Sequence, residues 1–205
     1  MGCFVKICGL ANARDVEAVA TLRPDAIGLV MWPGSKRAVT PVQAAPWLRD
    51  LPADIRKVGV FVDAAPTEVL RSMEIAGLDI AQLHGRESAA AYRSFPRRLW
   101  RALQLETSDA SPWDAWSVDA FLVDSYSPVA PGGTGIIGDW EAVGRWITAC
   151  PRPVLLAGGL TPANVRDAIR IARPWGVDVS SGVEREPGLK DLHKVKAFIE
   201  QCRAE

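Results

Sequence analysis

Apolar, β-branched runs recur along the chain at residues 4–7, 26–31, 58–62, 80–83, 99–103, 120–123, 154–156 and 177–179. Within each run the apolar character is nearly continuous rather than alternating, which predicts strands covered on both faces. Amphipathic segments with helix-start signals lie between most of them. Asn12 heads a segment reaching Leu22, and Thr40-Pro41 and Thr161-Pro162 each combine a capping side chain with a first-turn proline. Ala65-Pro66 carries half of that signal. Residues 107–118, rich in Ser, Asp and Trp, form the weakest helical segment. No long linker, repeat or low-complexity stretch interrupts the alternation, which predicts an α/β fold on a single parallel sheet. A (β/α)8 TIM barrel over residues 1–205, one catalytic domain, suits the pattern and the length. An open doubly wound sheet of eight strands satisfies the same pattern.

Composition narrows the choice of partners. Hydrophobic residues make up 48% of the chain, enough for a sizeable core. The 24 basic and 24 acidic side chains cancel, which excludes a nucleic-acid or anionic-membrane partner held by bulk charge. The first ten residues are too short and mixed for a signal peptide, and no apolar run approaches the length of a membrane span. Cys3, Cys8, Cys150 and Cys202 form no Cys-x-x-Cys pair, and the two histidines cannot complete a zinc site at that spacing. A reduced, cytoplasmic, metal-free protein is expected, with a small molecule as its ligand.

Two turns near the C-terminus point to that ligand: Leu156-Ala157-Gly158-Gly159-Leu160 and Val179-Ser180-Ser181-Gly182-Val183. Their backbone N–H groups are not blocked by large side chains and can ring a phosphate. Either turn alone reads as a tight strand-to-helix connection. At the last two strand ends of a barrel, where phosphate sites are often built, the pair favours a phosphorylated ligand.

The other strand ends place polar residues around the same mouth. In chain order they bring Lys6 and Cys8, residues 32–37, Asp63, Gln82-Leu83-His84-Gly85, Gln104, Asp124-Ser125 and Asp178, with Gly132-Gly133-Thr134-Gly135 ahead of the seventh strand. The thiol of Cys8 and the carboxyl of Asp124 are the proton-transfer candidates. Strands one and six lie across the mouth from each other, and an acid and a base opposed over a phosphate anchor suit an aldose–ketose isomerisation. A buried lone cysteine is more often a small core hydrophobe, but Cys8 stands beside Lys6 and opposite Asp124. Asp124 as a mere loop cap would leave a costly carboxylate at the end of an apolar strand. Taken alone, Arg37 reads as a solvated charge beside Lys36. His84 divides evenly between ligand contact and strand-end hydrogen bonding. Asp63, His193, Cys3, Cys150 and Cys202 read as structure or surface. Trp47, Trp100, Trp113, Trp116 and Trp146 read as helix–barrel packing, whereas Trp32 precedes the Arg37 loop and flanks the site.

The segments Lys6-Ile7-Cys8-Gly9, Ser35-Lys36-Arg37, Gln82-Leu83-His84-Gly85, Gly132-Gly133-Thr134-Gly135, Ala157-Gly158-Gly159-Leu160 and Val177-Asp178-Val179-Ser180-Ser181-Gly182-Val183-Glu184 together resemble phosphoribosylanthranilate isomerase of tryptophan biosynthesis. Each motif is weak to moderate alone, but six in order are specific, and the resemblance runs from Lys6 to about Phe198. It implies a (β/α)8 barrel and a cofactor-free Amadori rearrangement of N-(5-phosphoribosyl)anthranilate. It also implies Asp124 as general acid, Cys8 as general base, Arg37 on the anthranilate carboxylate and Asp178 near the bridging nitrogen. His84 would line the mouth, and Gly158, Gly159, Ser180, Ser181 and Gly182 would hold the phosphate. One segment departs from the family pattern. Gly135-Ile136-Ile137-Gly138-Asp139-Trp140 lacks the aromatic usually found two residues before the tryptophan, which predicts altered lid ordering and KM. A sister isomerase of the histidine pathway is disfavoured by Cys8, where such enzymes carry aspartate, and by the missing half-barrel repeat. A non-catalytic phosphoribosyl-binding protein is disfavoured by the retention of both Cys8 and Asp124. The chain is expected to be a monomer or a homodimer.

Overall fold

The computed structural model describes residues 2–104, 113–124 and 139–204, the side chain of Gln104 excepted. Eight strands close into a barrel in sequence order: β1 (Phe4–Ile7), β2 (Ala26–Val30), β3 (Arg56–Phe61), β4 (Ile80–Leu83), β5 (Arg98–Gln104), β6 (Ala120–Asp124), β7 (Val154–Ala157) and β8 (Gly176–Val179). All neighbours are parallel, and β8 returns to β1 with Phe4 opposite Gly176 and Lys6 opposite Asp178. Closure removes the sheet edges and settles the choice against an open doubly wound sheet.

Helices form where the caps predicted them, with one exception. In α1 (Ala13–Thr21) the Asn12 side chain accepts from the Asp15 N–H at 2.8 Å. Thr40 and Gln43 make a reciprocal capping box for α2 (Pro41–Leu48). Pro66 opens α3 (Pro66–Ala76), and α4 (Ala89–Tyr92) is a single turn. Asp139 caps α5 (Trp140–Ala149). The exception is α6, which spans Val165–Ala172 instead of starting at Pro162. Residues 161–164 make a turn in which the Asn164 side chain accepts from the Thr161 N–H at 2.7 Å and donates to the Gly159 carbonyl at 3.0 Å. The cap therefore lies at Asn164, and its side chain pins the glycine turn beneath it. Past β8, the short 3-10 turn Ser181–Val183 leads into an antiparallel hairpin, β9 (Glu184–Glu186) and β10 (Leu189–Lys190), before α7 (Leu192–Arg203). The weak helix expected over 107–118 does not form in its described part, where residues 113–115 are a turn.

Strand parity divides the core. One set of side chains, including Ile7, Ile27, Phe61, Leu83, Phe121, Leu156 and Val177, packs outward against helices that contribute Val16, Met73 and Phe198. The other fills the barrel with Ala26, Val58, Ile80, Trp100, Ala102, Leu122, Leu155 and Ala157. Trp100 thus lies inside the barrel, not between barrel and helix. It meets Phe4 edge-on at 6.0 Å, and Phe4 stacks on Trp175 at 4.4 Å, so aromatic rings seal the N-terminal end. With that end closed, the C-terminal mouth is the open face of the barrel.

Candidate active site

A cavity of about 410 Å³ occupies the C-terminal mouth. Its lining includes Cys8 after β1, Arg37 beyond β2, His84 after β4, Asp124 at the end of β6, and Asp178 and Ser180 from β8. Gly158 and Gly159 after β7, with Ser181 and Gly182 in the 3-10 turn, complete one wall. The ten residues given a catalytic, substrate or phosphate role in the sequence (Cys8, Arg37, His84, Asp124, Gly158, Gly159, Asp178, Ser180, Ser181 and Gly182) therefore line the same cavity. Trp32, 43% exposed, stands at its rim. Ser125, Gly132-Gly133-Thr134-Gly135 and the atypical segment 136–138 lie outside the described residues.

The floor beneath Cys8 is charged. Phe4, Lys6 and Cys8 share the inward parity of β1, and Lys6 is fully buried with Nζ 2.8 Å from Asp178 Oδ1. Burial alone would depress the Lys6 ammonium, but Asp178 and the neighbouring Cys8 sulfur outweigh it and raise the pKa. Cys8 shows the opposite balance. Burial pushes the thiol up; Lys6, within hydrogen-bond reach, pulls it back; Asp178 pushes it up again, and the sum lies above an ordinary thiol. Cys8 is therefore a protonated thiol at neutral pH in the ligand-free site, and Lys6 is the cation that limits its rise.

Gln82 and His84 form the next part of the wall. Gln82 is 1% exposed, its Nε2 lies 3.3 Å from His84 Nδ1, and its buried Oε1 has no partner among the described residues. Enclosure by protein lowers the His84 pKa despite the nearby Asp124 carboxylate, so the ring is neutral at pH 7.

Arg37 is half-buried and differs sharply from exposed Lys36. Its Nε donates to Glu184 Oε1 at 2.8 Å and its Nη2 to Glu184 Oε2 at 2.6 Å. One edge of the fork is therefore already engaged by Glu184. The edge formed by Nη1 and the second Nη2 hydrogen is the one geometrically left for a ligand. At the glycine wall of the cavity, Gly159 is exposed with φ +64, and a Cβ built there meets nothing within 4 Å. The 3-10 turn offers further N–H groups beside it.

Sequence reasoning missed several residues that build this site. In the sequence Lys6 and Gln82 stand only as strand-end residues without a role and Glu184 only as a motif letter, while Asn164 and Lys190 stand in no motif. The signals were a lysine inside an apolar strand and an asparagine three residues after Thr161.

A closed (β/α)8 barrel whose C-terminal mouth gathers a thiol, carboxylates and two glycine turns defines a barrel enzyme. This chain belongs to the N-(5'-phosphoribosyl)anthranilate (PRA) isomerase family, whose model matches residues 5–201. The N-(5'-phosphoribosyl)anthranilate isomerase of Magnetococcus marinus is 43% identical over 204 residues, 99% of this chain and 96% of that protein. Phosphoribosyl anthranilate isomerase from Thermotoga maritima superposes with a TM-score of 0.89 at 34% identity, covering 99% of this chain and 100% of that one. A phosphoribosyl anthranilate isomerase crystallised with reduced 1-(o-carboxyphenylamino)-1-deoxyribulose 5-phosphate gives a TM-score of 0.86 at 32% identity, with 99% and 100% coverage.

Proposed function

We propose that this chain carries out the reaction of its family in tryptophan biosynthesis, converting N-(5-phosphoribosyl)anthranilate to 1-(o-carboxyphenylamino)-1-deoxyribulose 5-phosphate, with Asp124 as general acid and Cys8 as general base. The observation that carries this reading is the placement of Cys8 just after β1 and Asp124 at the end of β6 around one cavity, with the glycine turns that follow β7 and β8 beside them. Asp124 protonates the ribose ring oxygen as the nitrogen lone pair expels it, which opens the ring to an iminium. Cys8, as thiolate, removes the C2′ proton, and the electron pair flows into the iminium to give an enolamine. Transfer of the 2′-hydroxyl proton and protonation at C1′ then yield the ketone, so atoms and electrons balance without a cofactor. The iminium is itself the electron sink, so a thiolate present as a minor fraction is a sufficient base.

Arg37 takes the anthranilate carboxylate through its unengaged edge. Asp178, held by Lys6, faces the bridging nitrogen, and His84 lines the wall beside it. The 5′-phosphate sits against the N–H groups around Gly158, Gly159, Ser180, Ser181 and Gly182. Cys8→Ala and Asp124→Asn should each lower kcat by at least ~10² while product-analogue affinity stays nearly unchanged, because these groups act in the transition state. Full activity of Cys8→Ala overturns the mechanism. Failure of the unaltered chain to rescue a tryptophan auxotroph lacking this step overturns the assignment, a non-catalytic binding protein included among the outcomes.

A further inference from the structure

The Glu184 carboxylate is 4% exposed and binds four donors. Besides the two bonds from Arg37, its Oε1 accepts from Lys190 Nζ at 2.7 Å and from the Gly188 N–H at 3.4 Å. Lys190 is itself fully buried, and its Nζ also donates to the Ser180 carbonyl at 3.2 Å. Its backbone N–H is held by Asp15 of α1 at 2.8 Å, which anchors the hairpin to the barrel wall. Gly9, at φ +75, completes the packing: a Cβ there would stand 2.6 Å from both Arg37 Cδ and Ser180 Oγ. The guanidinium and the Ser180 turn are thereby drawn together across a single chain of contacts.

We propose that Glu184 is a specificity-determining positioning residue that presets Arg37 for an ortho carboxylate and, through Lys190, fixes the guanidinium relative to the phosphate turn at Ser180. The inference rests on the reading of Arg37 given above. With Nε and one Nη2 hydrogen committed to Glu184, the guanidinium cannot rotate about its last side-chain torsion. A ligand carboxylate is met end-on, by one edge, in one plane. The two cations, Arg37 and Lys190, and the one anion leave a single net positive charge, matched to one carboxylate. Because Lys190 joins Glu184 to Ser180, the distance between the aromatic and phosphate ends of the ligand is set before it arrives, and little ordering is left to be done on binding.

The experiment uses two product analogues, reduced 1-(o-carboxyphenylamino)-1-deoxyribulose 5-phosphate and its counterpart lacking the carboxyl, as inhibitors of the unaltered enzyme, Glu184→Asp, Glu184→Gln and Arg37→Ala. Glu184→Asp keeps the charge beside Lys190 but withdraws the carboxylate by about one C–C bond length, ~1.5 Å, so it reports even if Glu184→Gln does not fold. Both Glu184 variants should raise KM about tenfold with kcat within about threefold, and the ratio of the two inhibition constants should fall about tenfold towards one. A merely structural role would weaken both analogues alike, so an unchanged ratio in Glu184→Asp overturns the proposal. Arg37→Ala separates the two failures. If it collapses the ratio while the Glu184 variants do not, only the role of Glu184 is wrong; if it too leaves the ratio unchanged, the carboxylate is read elsewhere and both fall.

Discussion

Replacing Lys6 by methionine removes the cation beneath Cys8 while nearly preserving side-chain length. At 2.8 Å, the Lys6–Asp178 attraction is about 6 kcal/mol at an effective dielectric constant of ~20. Desolvating two ions costs several kcal/mol, so the intact pair contributes little net stability. Truncating one partner is different, because Asp178, 9% exposed, is left as an uncompensated carboxylate; such deletions cost about 3–5 kcal/mol. Access of Asp178 to the cavity places the expected loss near the lower bound, about 3 kcal/mol in denaturant unfolding. Adding Asp178→Asn to Lys6→Met should recover at least half of it by removing the orphaned charge. The effect on Cys8 has a definite sign. Its pKa is already raised by burial in spite of Lys6, so removing Lys6 raises it further. Each 1.4 kcal/mol of lost thiolate stabilisation lowers the thiolate fraction about tenfold. Iodoacetamide alkylation of the Cys8 peptide at pH 8 should therefore slow at least tenfold in Lys6→Met, with the rising limb of kcat/KM displaced to higher pH. Because burial raises the folded-state value, the stability gained from keeping the Cys8 thiol protonated is present below the pKa of an unfolded thiol and is lost as pH rises through the folded one. Unchanged alkylation kinetics in Lys6→Met would show that Lys6 does not act on the thiol, and a double variant no more stable than the single one would refute the orphaned-charge account.

Gly159→Val should raise KM at least tenfold with a smaller change in kcat, because a branched Cβ at φ +64 is strained and projects into the space expected to receive the phosphate; a product-analogue complex with its phosphate elsewhere would disprove the assignment. Arg37→Ala should lower kcat/KM by about 30- to 1,000-fold, equivalent to roughly 2–4 kcal/mol, with Arg37→Lys recovering only part, while exposed Lys36→Ala should change it less than about threefold. Equal small effects at both positions would make Arg37 a surface charge.

The alternation of apolar runs and caps was enough to read the barrel, because a parallel sheet buried on both faces writes itself as continuous β-branched segments. The inner and outer faces of those strands were not legible for the same reason: continuous apolarity hides parity, so Trp100 was placed outside. The hairpin at 184–190 is too short to leave a periodic signal, and its two buried charges, Glu184 and Lys190, make sense only with their partners in space. Arg37 and Glu184 are separated by 147 positions, and no local pattern encodes such a pair. Lys6 was legible in principle. A carboxylate at the end of an apolar strand is costly, and a lysine within one is costlier still.

The closing contact of the barrel, β8 on β1, has a consequence for the order of events during synthesis. Lys6 and Cys8 are made with β1, yet Asp178, Ser180 and Glu184 follow only after seven strands have been made. Until then the nascent sheet has two open edges and Lys6 is a cation with no counter-ion, 172 positions from its partner. The Cys8 thiol, Lys6, Arg37 and the Ser180 turn all meet along this one seam. A chain arrested before β8 therefore holds Cys8 without Asp178 and the Ser180 turn that line the cavity beside it, and the cavity is complete only when the ring shuts. Moving the chain ends to another loop while covalently joining residues 204 and 2 would shift that step to a different seam, with the finished site unaltered.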